Sequence, residues 1–212
     1  MPGRGWWLCF GAAVLMGCAP RVRPLTGVPA PRWLPAASLP PGYRVVVFRW
    51  VLTDQDLEAR GEGAARLAAP DSARVDFFLA GGAGSGAAVL VGDQLRLSHA
   101  DRVTAALVPP AHLLWAALGR AVIPALPDTT VRVDGDTLRA DIGYPVAWRL
   151  TFARDTLRRV ERIENGRSVE FVVHLADGRV RYRDAVRRRQ LELTITRSTA
   201  ASRFDAAIWN FP

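Results

Sequence analysis

The residues of this chain that could do chemistry are two cysteines, three histidines, a glycine-rich run and a short acidic turn. Cys18 ends Leu15-Met16-Gly17-Cys18, at the point where an apolar run from Trp6 to Met16 stops; Cys9 lies inside that run. A thiol in such a place can be capped, paired or made a metal ligand. If the chain is cut before Cys18 and its sulfur is modified, no thiol remains for a disulfide, a metal or a nucleophile. His99, His112 and His174 form no His-x-x-x-His pair. His99 with Asp101 reads as a polar turn, His112 as an exposed residue of a helix's first turn, and His174 as a solvent-facing residue opposite the apolar face of its strand. Gly81-Gly82-Ala83-Gly84-Ser85-Gly86 lacks the Lys-Ser/Thr of a phosphate loop. Ser85 has Ala83 and Ala87 where a nucleophile elbow needs glycine. Asp134-Gly135-Asp136 begins like a calcium loop, but Leu138 follows and no acid closes it at the twelfth place. A hairpin turn is the better reading. No pair of acids has a catalytic setting, so the expectation is no enzyme, no metal and no dissociable cofactor.

The segment around Cys18 points to export. Arg4 precedes an apolar run of 11 residues, which then gives way to small residues. That is the layout of a secretory signal peptide, and it is shorter than the roughly 20 residues a helix needs to cross a bilayer. Residues 1–17 are expected to be that signal. The Leu-x-Gly-Cys ending resembles the lipobox of bacterial lipoproteins, with Met16 an uncommon residue at its position. The resemblance implies cleavage before Cys18, a diacylglyceryl group on its sulfur and a further acyl chain such as palmitate on the new amino group. The competing reading is plain secretion with Cys18 incidental. Ala19 after the cysteine resembles an outer-membrane address, which implies anchoring on the periplasmic face of the outer membrane.

Residues 18–42 read as a tether. Pro20, Pro24, Pro29, Pro31, Pro35, Pro40 and Pro41 withhold the N–H that helices and sheets need, so a stiff extended spacer is expected. Arg21, Arg23 and Arg32 along it could meet anionic headgroups of membrane lipids. The remainder, 43–212, is about one domain of material. Half of all residues are apolar, enough for a core, and every one of the 28 basic residues is Arg. An exported protein with a basic surface and no recognition motif is not expected to bind nucleic acid.

The body reads as mainly β with a helical insert. Tyr43 to Leu52 is a β-branched and aromatic run, Glu58 to Leu67 a polar strand, and Arg74 to Leu79 alternates. Gly92-Asp93, Asp134-Gly135, Asn165-Gly166 and Asp177-Gly178 are hairpin signals between short strands. Trp148, Leu150 and Phe152 share one strand face. Val180 and Tyr182 alternate with Arg179, Arg181 and Arg183, and Leu191, Leu193 and Ile195 with Glu192, Thr194 and Thr196. Ala111 to Gly119 is the helix candidate, with Pro109-Pro110 as its start and Gly119 as its stop. Leu114, Trp115 and Leu118 share a helix face. These elements predict one curved antiparallel sheet, or incomplete β-barrel, with the helix over its dry face.

That order of parts resembles the LolA/LolB lipoprotein-carrier family and the LppX/LprG-type lipoproteins that share its fold: a lipobox, a Pro-rich tether, then an antiparallel sheet interrupted by a Pro-led Leu/Trp helix ending in Gly. Pro110 to Leu118 carries the strongest local likeness, and the strand and hairpin order over 74–97 a second. The resemblance implies a half-barrel closed by a helical lid over an apolar cavity. It also implies acyl chains as cargo, a periplasmic LolA-like carrier as partner, a monomer, and a role in lipoprotein localisation. The expected cavity residues are Trp50, Phe77, Leu79, Trp148, Leu150, Phe152 and Phe171 from the sheet and Leu114, Trp115 and Leu118 from the lid. One departure stands out. LolB-type chains carry an exposed apolar residue in the loop after the third strand, whereas Gly81 to Gly86 holds nothing larger than Ala or Ser. The alternative is an anchored assembly protein with a closed core and no cargo. Arg154, Arg158, Arg159, Arg162 and Arg167, with Arg179, Arg181, Arg183 and Arg187 to Arg189, are expected to gather into a basic outer face.

Overall fold

A computed structural model of the chain describes residues 21–31, 33–82, 84–98 and 102–210. The signal segment, Cys18 and His99 lie outside the described residues. The strands in chain order are β1 (Val28–Pro29), β2 (Tyr43–Asp54), β3 (Leu57–Ala68), β4 (Ser72–Leu79), β5 (Ser85–Val91) and β6 (Gln94–Leu97). Helices α1 (Arg102–Leu107) and α2 (Ala111–Ala117) follow. Then come β7 (Thr129–Asp134), β8 (Thr137–Ile142), β9 (Trp148–Ala153), β10 (Thr156–Glu164), β11 (Arg167–His174), β12 (Arg179–Asp184) and β13 (Arg189–Ala201).

All pair in one 13-stranded antiparallel sheet, ordered β1-β7-β8-β9-β10-β11-β12-β13-β2-β3-β4-β5-β6. Tight turns join β7 through β13 and β2 through β6, and the pairing of β13 with β2 stitches the two runs together. The edges, β1 and β6, do not pair with each other, so the barrel stays incomplete.

The sheet is strongly curled, and α2 shows by how much. The Ala116 carbonyl lies 2.7 Å from His174 Nε2 on β11, while the neighbouring Trp115 donates its indole N–H to Gly92 O in the β5–β6 turn at 2.6 Å. Strands β11 and β5 stand six places apart, which in a flat sheet is roughly 29 Å. Two successive helix residues can reach both only if the sheet wraps around the helix. Pro109 and Pro110 open α2, with the Pro110 carbonyl accepting from Leu113 and Leu114. Gly119, at φ +89°, ends it.

β3 provides the room for the large rings of β2. Gly61 is paired with Trp50 and Gly63 with Phe48. A methyl at Gly61 would sit 2.7 Å from the Trp50 ring, and one at Gly63 2.5 Å from the Phe48 ring. Both rings therefore lie across bare backbone, an arrangement known to favour close aromatic cover of strand glycines. Phe48 and Trp50 then meet Phe77 of β4 edge-on, at 5.7 and 6.2 Å.

The tether expected over 18–42 is not free where it is described. Val22 donates to Gly166 O, Val28 and Pro29 pair with β7, and Ala30 donates to Val131 O. Leu39 is buried, Leu34 and Ala37 pack against the core, and the Ala37 carbonyl accepts from Ala121. Proline denies ladder hydrogen bonds but not apolar burial, and an edge strand tolerates it. The segment is a strap along the sheet instead of a spacer.

Candidate functional site

An apolar hollow of about 110 Å³ lies between α2 and the concave face of the sheet. Period-two alternation sends Val46 and Phe48 of β2, Ala65 and Leu67 of β3, and Val75 and Phe77 of β4 to one wall. Val180 and Tyr182 of β12 and Leu191, Leu193 and Ile195 of β13 make the other. Leu107 of α1 and Leu114, Ala117 and Leu118 of the α2 region close the roof. An apolar cavity of about 150 Å³ stays dry and takes a benzene-sized guest. The hollow as it stands therefore holds a few methylene groups, and a longer chain must displace α2 or leave through a mouth.

There is such a mouth. The last residue of β13 to pair with β12 is Thr194. From Ile195 onward β13 has only β2 beside it, so the wall stops on that flank. Ile195 is 45% exposed, and Val46, Leu118 and Gly119 beside it are half-buried.

Two polar side chains enter this apolar wall. His174 holds the α2 carbonyl of Ala116. Burial is the main cause that lowers its pKa from 6.5; the carbonyl bond opposes the shift and Arg158 adds to it. His174 is thus held neutral, with Nε2–H as the donor. Tyr182 donates to Glu170 Oε1 at 2.6 Å, and Arg162 Nε donates to Glu170 Oε2 at 2.6 Å. Glu170 is 2% exposed, so both bonds are needed to hold its charge. Burial, and then the Glu170 bond, push the Tyr182 pKa upward. This cluster fills the sheet toward the Arg162 end of the strands, away from the mouth.

Of the expected cavity residues, Phe77, Leu114 and Leu118 line the hollow. Trp50, Trp115, Trp148, Leu150 and Phe152 are buried in the same core but do not line this hollow; Leu150 and Phe152 lie beneath a separate groove that residues 34–38 also line. Leu79 packs at the margin, beside the β4–β5 connection. Phe171 is a correction: it sits on the outer face with the Arg159 guanidinium 3.9 Å above its ring. It alternates with Glu170 and Val172, and those two take the inward positions. His174, expected in solvent, follows Val172 inward and lines the hollow. His112, expected to be exposed, packs edge-on against Trp148 at 5.6 Å. Phe48, Leu67, Val180 and Tyr182 were not on the expected set, although alternation with Trp50 and with the β12 arginines marks them.

The basic outer face is also corrected. Arg179 and Arg181 share Glu192, Arg159 meets Glu161, and Arg149 grips Asp141 through two bonds of 2.6 and 2.8 Å. Cross-strand acids neutralise much of it. Asp134 and Asp136 pair with Arg139 and Arg154 around a hairpin turn. Among the described residues no cluster of three or more His, Cys, Asp or Glu could hold a metal ion, and no helix is long and apolar enough to cross a membrane.

No protein family and no curated protein sequence matches the chain. Solved structures do. A LolA superfamily protein from Nitrosomonas europaea superposes with a TM-score of 0.50 at 14% identity, covering 81% of this chain and 92% of that one. A DUF1329 family protein from Desulfovibrio piger superposes at 0.44 and 8% identity, covering 80% and 90%. The likeness is one of overall fold: this curled, unclosed antiparallel sheet superposes on the first of these over most of both chains, and the chain has a LolA/LolB-like fold.

Proposed function

We propose that the chain is an envelope lipoprotein that shelters acyl chains under α2 and assists lipoprotein localisation to the outer membrane, in the manner of LolB. Acyl groups on Cys18 anchor it to the periplasmic face, and a LolA-like periplasmic carrier hands over the cargo. The observation that carries this reading is the apolar hollow with a mouth at Ile195. Each methylene that leaves water for such a surface gains about 0.8 kcal/mol. A small hollow under a short lid gives hold without permanence, which a protein that must release its cargo requires.

The test is solvent extraction of the full-length protein purified from a lipid-containing host, followed by mass spectrometry. Non-covalent acyl chains in near-stoichiometric amounts are expected, and Leu114→Trp, which fills the hollow, should abolish them. A protein that carries none, alone or after incubation with an acylated peptide, sinks the proposal.

The modest volume of the hollow favours one second reading: an anchored assembly protein whose core stays closed. It predicts the same membrane fractionation and no extractable lipid.

A further inference from the structure

We infer that the end of the barrel bearing the β8–β9, β10–β11 and β12–β13 turns is a docking surface for anionic membrane lipid, so that the mouth of the hollow faces away from that membrane. The chain's own course carries this. Arg21 of the strap bridges to Arg167 at the start of β11, and Val22 donates to the Gly166 carbonyl in the β10–β11 turn. Only Ala19 and Pro20 separate Cys18 from Arg21, a span of roughly 10 Å even when extended. An acyl anchor on Cys18 therefore holds this end against the bilayer.

The surface matches that position. Arg21, Arg23 and Arg188 are exposed and Arg167 is half-buried at this end. Among the described residues none of the four forms an ion pair, unlike Arg149, Arg159, Arg162, Arg179 and Arg181 of the strands. The exposed acids of the same end are Asp56, Glu58, Asp128 and Glu164, and Glu164 is already paired with Arg162. Tyr144 in the β8–β9 turn is 87% exposed and Val186 in the β12–β13 turn 67%. An aromatic ring with a polar tip and a lone aliphatic residue beside free guanidinium groups suit the headgroup region. The mouth at Ile195 lies toward the opposite ends of β13 and β2, where the β3–β4 and β11–β12 turns are. Cargo then enters from the membrane-distal side, past Leu118 and Gly119.

This orientation rests on the anchored reading in requiring attachment at Cys18; it does not depend on cargo. The full chain is reconstituted in phosphatidylcholine vesicles, with or without phosphatidylglycerol, carrying a photo-crosslinking phenylalanine analogue at Val186 or at Ala176. Lipid adducts are expected from position 186 and not from 176. On the anionic vesicles the triple variant R21Q/R167Q/R188Q should lower the adduct yield at 186 by up to about a hundredfold, since each basic residue near such a surface contributes roughly fivefold to partitioning. On neutral vesicles the triple variant should change little. Adducts at 176, or none at 186 while the chain still floats with the vesicles, overturn the orientation. A chain that does not float overturns the anchor and the orientation together, while lipid extraction still reports on the hollow by itself.

Discussion

Trp115 donates its indole N–H to the Gly92 carbonyl across 2.6 Å, tying the lid helix to the hairpin at the far side of the sheet. One residue on, Ala116 is tied to β11. The two bonds together hold the curled sheet around α2, and Trp115 is fully buried with its ring under Arg120 at 4.6 Å. Trp115→Phe keeps most of the apolar volume and removes the donor. It should cost about 1–3 kcal/mol, because the Gly92 acceptor is left without its partner. For a chain of this size that is a fall in Tm of roughly 2–4 °C per kcal/mol. Calorimetry measures the loss, and hydrogen exchange at the α2 amides should rise with it. An unchanged exchange rate would mean that the lid is held by packing alone.

Gly63 lies beneath the Phe48 ring, and β3 passes there with no side chain at all. Gly63→Val puts two methyls where even one atom would stand 2.5 Å from the ring. The ring must move toward the hollow that it lines. Overpacking of this kind typically costs about 1–3 kcal/mol, and the displaced ring should also lower acyl-chain uptake in the extraction assay. Gly81→Ala meets nothing within 4 Å, but φ there is +74°. It should cost about 1 kcal/mol through backbone strain alone and leave uptake unchanged. Chemical denaturation of the two variants separates crowding from strain.

Much of this architecture is legible in the residues. The hairpin pairs at Gly92-Asp93, Asp134-Gly135, Asn165-Gly166 and Asp177-Gly178 all sit at turns between paired strands. Pro109-Pro110 and Gly119 bound the helix because one lacks a donor and the other tolerates positive φ. The faces were harder. His174 and Phe171 belong to one strand, and polarity by itself points His174 outward and Phe171 inward. Register decides otherwise: Glu170 is placed opposite Arg162, and that pairing turns its whole parity class inward. The strap was hidden for a different reason. Seven prolines mark a segment that cannot make a full ladder, yet Leu34, Ala37 and Leu39 bury against the sheet through side chains alone. α1 spans only Arg102–Leu107, under two turns, too short for an apolar period to show in the residues.

Tyr182 and Glu170 form a buried pair whose bond is charge-assisted. Tyr182→Phe removes one of the two side-chain donors to a carboxylate that has almost no access to water. A hydrogen bond to a charged group is worth about 1.5–3 kcal/mol, and that is the expected loss. Glu170→Gln in the same background should recover part of it, since the charge that needs the phenol is gone. A double-mutant cycle by urea denaturation measures the coupling. Additive losses would mean that Arg162 alone holds the carboxylate.

His174 makes the lid sensitive to acid. Its pKa in the folded chain lies below 6.5, chiefly through burial. The unfolded chain therefore takes up its proton first as pH falls, and stability rises with pH wherever the unfolded state binds more protons. The stability that His174 provides is complete above 6.5 and drains away as pH falls from 6.5 toward the lower folded value. Arg158, on the β10 side, is the charged group that adds to this lowering, and Tyr182, whose own pKa is pushed upward, lies in the same wall. His174→Gln keeps an N–H donor for Ala116 and cannot titrate. Urea midpoints for the parent chain should fall faster than those of the variant between pH 7 and pH 5. Exchange at the α2 amides should follow the same difference. Parallel curves would place the proton uptake elsewhere and leave His174 as a simple hydrogen-bond donor to the lid.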